Sequence, residues 1–128
     1  MPEKRLRGNL VYADTDFFLA LLKERDWLKD KALSLLNEHK GEITTSMTTF
    51  IELMLLCKKF GLDPVKVTLA VMEITRYFDE RVLKAAVLIS QGMGVFDAFH
   101  AAYSGGSIIS SDHVFDEYGF ERVKLEDP

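Results

Sequence analysis

Hydrophobic residues occur along the chain first as a short run and then at helical spacing. The run "NLVYAD" contains four consecutive apolar residues rich in β-formers and ends in polar residues, so it predicts a short buried strand. In "TDFFLALLKER" the apolar residues repeat at helical spacing, and Thr15 or Asp16 can cap the N-terminus of the predicted helix. The pattern therefore predicts a strand, an acidic turn and a helix.

Five more helices are predicted from the same spacing and from residues that start or stop helices. Their segments are "DWLKDKALSLLNEH", "SMTTFIELMLLCKKFG", residues 64–78, residues 79–91 and "GMGVFDAFHAAYSGG". The first includes Trp27 on its apolar face, and the second opens at a capping residue, Ser46, and ends at Gly61. Asp63 and Pro64 occupy the favoured cap and first-turn positions of the third.

Three short extended segments complete the pattern. "EITT" follows the second helix, "SIISSD" is an apolar strand that ends in acid, and "ERVKL" is a possible edge strand after a helical turn at "HVFDEYG". Strands separated by helices predict a parallel sheet with helices on both faces, which is an α/β fold. Ligands of such sheets bind beyond the carboxyl ends of the strands. Asp14 and Asp112 stand at that edge.

Length and composition indicate one folded domain. The 128 residues suffice for a single core, and we expect one domain over residues 1–128 whose first nine residues, "MPEKRLRGN", form a flexible basic leader. That start lacks the apolar core of a signal peptide, and no apolar run approaches the roughly 18 residues of a membrane span. We therefore expect no membrane partner.

Charge and cysteine content narrow the functional classes. The net charge of −4 argues against a protein that binds nucleic acid through its overall charge alone. It does not exclude a nuclease whose acidic residues hold metal. The single cysteine, Cys57, lies in the apolar run "IELMLLC", where it is expected to pack as a core residue. A reducing, cytoplasmic compartment fits this cysteine usage.

Four acidic residues stand beside strongly apolar neighbours: Asp14, Glu52, Asp97 and Asp112. If they converge, their negative charges repel one another and raise some of their pKa values unless a divalent cation lies among them. Ligation by oxygen alone favours Mg²⁺ or Mn²⁺ over zinc. The chemistry most typical of such a site is hydrolysis of a phosphate ester.

Each of these acids also has a structural interpretation as a helix cap or as part of a solvated face. We expect Asp16, by contrast, to cap the first helix. Glu52 and Asp97 are flanked by large apolar residues and are poorly placed to be caps. The structural interpretation is therefore weaker for the four acids together than for any one of them.

Hydroxyl residues near these acids have a similar double interpretation. Ser110 and Ser111 precede Asp112, so they can orient its carboxylate or bind a water molecule on the metal, and either can equally cap a helix. Ser46 and Thr49 have the same two interpretations. The sequence leaves these alternatives open.

These motifs resemble the PIN domain family, in particular its small single-domain VapC-type toxins. The resemblance lies in "VYADTDFFLALL", "SMTTFIELMLL", "GVFDAFHAAYS" and "IISSDHVFDEYG", which span nearly the whole chain in the family's order. It implies a three-layer α/β/α fold with a central parallel sheet. It also implies an acidic pocket that binds Mg²⁺ or Mn²⁺ and metal-dependent cleavage of RNA.

The resemblance also implies roles for individual residues. The family's acidic quartet, which binds the metal and carries catalysis, falls on Asp14, Glu52, Asp97 and Asp112. The candidates for supporting roles are Ser111, Thr15, Asp16 and Ser46. Asp16 departs from the family, which often has asparagine or another small polar residue there, and the basic leader is longer than in a minimal toxin.

A toxin of this type implies three partners: an RNA substrate, a protein antitoxin and a second copy of the chain. The segment "VTLAVMEITRYF" carries more apolar residues than one core-facing stripe needs, which also favours a homodimer. Two alternatives within the family are a PIN nuclease of RNA processing and a PIN-fold scaffold that binds RNA or protein without cutting. The least favoured alternative is a D-x-D phosphatase, because "DTD" lacks the later motifs of that class.

Overall fold

The computed structural model describes residues 10–127, so the expected basic leader lies outside the described residues. The chain divides into two compact units, Met1–Phe78 and Asp79–Pro128, called here the N-terminal and C-terminal units. The expectation of one domain over residues 1–128 stays a prediction.

Within residues 10–78, the N-terminal unit contains two strands and four helices. In order they are β1 (Val11–Tyr12), α1 (Thr15–Leu22), α2 (Lys29–Glu38), β2 (Ile43–Thr44), α3 (Met47–Phe60) and α4 (Pro64–Thr75). β1 and β2 pair in parallel, with Val11 opposite Ile43. Phe18, Phe50 and Val71 are fully buried and form the centre of the core of this unit.

The C-terminal unit contains the remaining described elements. They are α5 (Glu80–Ser90), α6 (Val95–Tyr103), β3 (Ser107–Ser110), α7 (Val114–Glu117) and β4 (Glu121–Lys124). β3 and β4 pair in parallel over their whole length, from Ser107 opposite Glu121 to Ser110 opposite Lys124. α5 packs against α6, and both helices bury small residues, including Ala85 and Ala98.

The predicted α/β class is confirmed, because parallel strands alternate with helices in both units. Several predicted helix ends are also confirmed. Gly61 ends α3 in the left-handed conformation with φ of 64°, and Asp63 caps α4 through hydrogen bonds to its side chain. Cys57 is buried, as expected for a core residue. Among the described residues, no helix is long and apolar enough to cross a membrane.

Two predictions about exposure are wrong. β1 is not buried, because Val11 is 39% exposed and Tyr12 is 55% exposed, and the Tyr12 hydroxyl instead bonds Ser46 at the surface. Trp27 is 89% exposed and precedes α2 rather than joining its apolar face. The reason is local: the Asp26 carboxylate accepts a hydrogen bond from the Leu28 amide, and this turn delays the start of the helix.

Candidate functional site

Asp14 follows β1 and is the N-cap of α1. Its backbone is extended, with φ of −92° and ψ of −175°, and Oδ1 accepts a hydrogen bond of 3.1 Å from the Asp16 amide. The expectation that Thr15 or Asp16 caps this helix is therefore wrong. The chain leaves the strand extended through Asp14, so the carboxylate of that residue folds back over the first turn. Both Asp14 and Asp16 are exposed.

Thr15 connects this turn to the middle of α3. Its hydroxyl is nearly buried and donates a hydrogen bond of 2.6 Å to Oε1 of Glu52. Glu52 lies well inside α3, so the expectation that it is not a cap is confirmed. Within the N-terminal unit, the two quartet acids are thus linked through one residue, since Thr15 directly follows Asp14.

A second group of hydroxyls connects the end of β1 to the start of α3 through hydrogen bonds. Thr45 Oγ1 donates to the carbonyl oxygen of Ala13 at 2.8 Å and lies 2.7 Å from Thr49 Oγ1. The Tyr12 hydroxyl lies 2.7 Å from Ser46 Oγ, and this hydrogen bond is the main cause that lowers the pKa of Tyr12. Ser46 occupies the predicted cap position, but its hydroxyl bonds Tyr12 instead of the helix amides.

Asp14 also borders open space within the N-terminal unit. A cavity of about 550 Å³ lies against Asp14 and the end of β1, and most of its remaining lining is apolar. Its lining includes Tyr12, Phe17, Leu35, His39 and Ile43. A ligand therefore has room beside the Asp14 carboxylate.

Asp97 and Asp112 line one cavity in the C-terminal unit. The cavity has a volume of about 210 Å³, and His100 and Ser110 also line it. Asp97 is in the first turn of α6, where the amides of the helix N-terminus favour a negative charge. This position gives Asp97 a helix-stabilising role that its apolar neighbours did not predict.

Asp112 is held by two hydrogen bonds in the turn between β3 and α7. Its amide donates to Ser110 Oγ at 2.9 Å, and its Oδ1 accepts from the Val114 amide at 3.0 Å. Of the two serines expected near this acid, Ser110 supplies the hydroxyl that bonds the Asp112 backbone, and Ser111 is exposed. The turn leaves the Asp112 carboxylate exposed beside the cavity.

Arg122, which had no predicted role, contacts this turn from β4. Its side chain is only 1% exposed, and its guanidinium bonds Asp116, Glu126 and the Ser110 carbonyl. These interactions raise the pKa of Arg122 and lower the pKa of Glu126, mainly through the hydrogen bonds between the two side chains. The sequence signal was weak, since a single arginine in a predicted edge strand usually faces solvent.

The donor chemistry of each unit fits a hard divalent cation. Each unit contributes two carboxylates and neighbouring hydroxyl groups, and oxygen ligands of this kind suit Mg²⁺ or Mn²⁺. Within residues 10–127, no three His, Cys, Asp or Glu side chains are grouped so that they could hold a metal ion.

Comparison with family models identifies the type of domain. A family model described as PIN domain matches residues 11–121, which include all four acids of the expected quartet. No curated protein and no solved structure matches the chain. Proteins with this domain are in general nucleases that use divalent metal ions. Because the match covers most of the 128 residues and both units, the chain belongs to the PIN domain family.

Proposed function

We propose that the protein is a Mg²⁺- or Mn²⁺-dependent endoribonuclease whose metal is held by Asp14, Glu52, Asp97 and Asp112. The observation that carries the proposal is the pairing of acids within each unit. Thr15 joins the Asp14 turn to Glu52, and Asp97 and Asp112 line one cavity. Family membership supports a metal-dependent nuclease of this general kind.

In this proposal three of the four carboxylates are held by the fold before metal binds. Asp14 and Asp112 use Oδ1 to accept backbone hydrogen bonds, which restricts the direction of each carboxylate. Thr15 restricts Glu52 in the same way. The divalent ion supplies a Lewis acid at the scissile phosphate and activation of the attacking water.

The supporting residues would act on the substrate side of the same site. Asp16 and Ser111 are exposed next to quartet acids, where they can contact RNA or ordered water. The Ser46 hydroxyl bonds Tyr12 and keeps further hydrogen-bonding capacity for substrate. Single-stranded RNA is the proposed substrate, because its unstacked backbone can be presented to a recessed acidic pocket.

We also propose the biological setting of a VapC-type toxin. A toxin would be held inactive by a protein antitoxin, would form a homodimer and would act in the cytoplasm on cellular RNA. The buried Cys57 is compatible with this setting. The test of the toxin role is growth on expression of the chain, with rescue by a small reading frame located immediately upstream of its gene.

A PIN-fold scaffold that binds RNA or protein without cleavage is the second candidate function. Its support is structural, since Asp14, Asp97 and Asp112 all occupy positions that stabilise helix starts or turns without metal. However, Glu52 is in the middle of a helix and needs no such role. Four retained acids therefore favour the nuclease, and family membership removes the support for a D-x-D phosphatase.

The deciding experiment measures cleavage of a mixed pool of single-stranded RNA by the purified, folded chain free of any inhibitor. We expect cleavage with Mg²⁺ or Mn²⁺, none in EDTA, and a loss of orders of magnitude in Asp112→Asn. Asp63→Asn is the matched control, because Asp63 caps α4 and asparagine caps equally well. A folded parent that neither binds metal nor cleaves RNA would overturn the nuclease and favour the scaffold.

A further inference from the structure

Arg122 is a buried cation that joins three segments of the C-terminal unit. From β4, its Nη1 donates to the Ser110 carbonyl at 2.8 Å and to Glu126 Oε1 at 2.8 Å. Its Nε donates to Asp116 Oδ2 at 3.1 Å. A guanidinium that is this well shielded from water needs such partners, because an unpaired buried charge is costly.

Two of the Arg122 contacts lie on either side of Asp112 in sequence. Ser110 precedes Asp112 by two residues, and its carbonyl accepts from Nη1. His113 follows Asp112 directly, and its Nδ1 accepts from Nη2 at 3.2 Å. Arg122 therefore holds both ends of the turn that carries the Asp112 carboxylate, without contacting that carboxylate itself in the hydrogen bonds described.

The same turn depends on groups that Arg122 positions. The Ser110 hydroxyl accepts from the Asp112 amide, and the Asp112 carboxylate accepts from the Val114 amide. If the Ser110 carbonyl shifts, its side chain and the Asp112 amide shift with it. The planar fork of arginine can bond several acceptors at fixed angles, whereas the single ammonium of lysine cannot reproduce that geometry.

We propose that Arg122 is a positioning residue that sets Asp112 for divalent-cation binding, and this inference rests on the proposed metal site. Without the guanidinium, the turn between β3 and α7 loses its hydrogen bonds to Arg122. The Asp112 carboxylate then loses its preferred direction, and cation binding weakens. Loss of a side chain that orients a metal ligand typically lowers metal affinity by about 10- to 100-fold.

The test compares Arg122→Gln and Arg122→Lys with the parent full-length chain. Calorimetric titration with Mn²⁺ alone should show affinity about 10-fold lower or more in both variants. Arg81→Gln is the matched control, because Arg81 forms a similar fork with Asp79 at the start of α5, away in sequence from the Asp112 turn. This control should retain the parent affinity. Equal Mn²⁺ affinity in the parent and both folded Arg122 variants would overturn this inference but not the proposed function.

A double variant separates action through Asp112 from a general loss of structure. If Arg122 acts through Asp112, Arg122→Gln should lower Mn²⁺ affinity less than about twofold once Asp112→Asn is present, because the two changes remove the same interaction. Full additivity of the two losses would overturn the inference. Arg122→Lys keeps the charge and much of the volume, so it provides the folded variant if Arg122→Gln does not fold.

A second measurement does not depend on metal. In EDTA, amide hydrogen exchange at Asp112 and Val114 should be about 10-fold faster in the Arg122 variants than in the parent, while Arg81→Gln leaves it unchanged. A parent that binds no Mn²⁺ would overturn the proposed function. Even in that case, faster exchange at these amides in the Arg122 variants would show that Arg122 orders the turn. Unchanged exchange would show that Arg122 does not order the turn.

Discussion

Thr15 and Glu52 are 37 residues apart in sequence, yet the hydroxyl of one donates a hydrogen bond of 2.6 Å to the carboxylate of the other. The donor is almost buried, and the acceptor lies on an exposed position in the middle of α3. A short hydrogen bond to a charged acceptor is among the stronger kinds in proteins. It therefore holds Glu52 towards the turn that begins at Asp14.

Replacement of Thr15 by valine should remove this restraint while the branched shape of the side chain is kept. We expect a loss of about 1 kcal/mol in unfolding free energy and a reduction of about 10-fold in Mn²⁺ affinity. Thr15→Ser should retain both properties, because it keeps the hydroxyl. Thr48→Val, at an exposed position of α3, is the control. Unchanged Mn²⁺ affinity in Thr15→Val would show that the hydrogen bond serves stability only.

Asp112→Asn should separate metal binding from folding. The asparagine Oδ1 can still accept from the Val114 amide, so the turn is kept while one negative charge is removed from the proposed quartet. In EDTA, we expect a melting temperature equal to or above that of the parent. Added Mn²⁺ should raise the melting temperature of the parent more than that of the variant, because it binds the folded parent more tightly.

Thermal melts of both proteins with and without Mn²⁺ provide the measurement. Asp97→Asn should show the same dependence on metal, but with an added loss of about 0.3–1 kcal/mol in both conditions, since Asp97 lies in the first turn of α6. A variant that loses stability equally with and without metal, and that still cleaves RNA, would contradict a metal-binding role for the substituted acid.

Asp63 is an acid that caps a helix. Its Oδ1 accepts from the Val65 and Lys66 amides at 2.9 and 3.2 Å, which satisfies two amides at the start of α4. Asp63→Ala should lower the unfolding free energy by about 1 kcal/mol, and Asp63→Asn should leave it nearly unchanged. Urea titrations should give the same difference in unfolding free energy between the parent and Asp63→Ala in EDTA and in Mn²⁺. A loss that appears only with Mn²⁺ would contradict a purely capping role.

Cys57 should make stability depend on pH above neutrality. Burial, with a smaller contribution from the charge of Asp63, raises the pKa of Cys57 from 9.0 to about 11. Between these values the unfolded chain loses the thiol proton while the folded chain keeps it, so the stabilising effect present below about pH 9 is lost as the pH rises towards 11. The loss should reach about 2–3 kcal/mol.

The measurement is the unfolding free energy of the parent and of Cys57→Ala between about pH 8 and pH 11. The difference between the two proteins should be constant below about pH 9 and should then shrink, because the variant has no thiol to ionise. The folded parent should also resist alkylation near pH 8, since the reactive thiolate is scarce. A difference that stays constant to pH 11 would contradict the raised pKa.

The sequence by itself determined the elements whose causes are local. α3 was predicted from Ser46 to Gly61 and spans Met47–Phe60, because apolar spacing, a polar start and a left-handed glycine all act within the helix. The cap at Asp63 and the burial of Cys57 were predictable for similar reasons. The four acids were predicted as metal ligands partly because charged residues beside large apolar ones are unusual in sequence, and this stays a prediction.

Only the tertiary structure decided which groups meet across long separations. It linked Thr15 to Glu52, placed Asp97 and Asp112 on one cavity, and buried Arg122 among acids from α7 and the chain end. Sequence spacing indicates the face of an element on which a side chain lies, but not which partner element reaches that face. Sequence spacing also misjudged Tyr12, which is exposed and bonds Ser46, because a short apolar run does not show whether another element covers it.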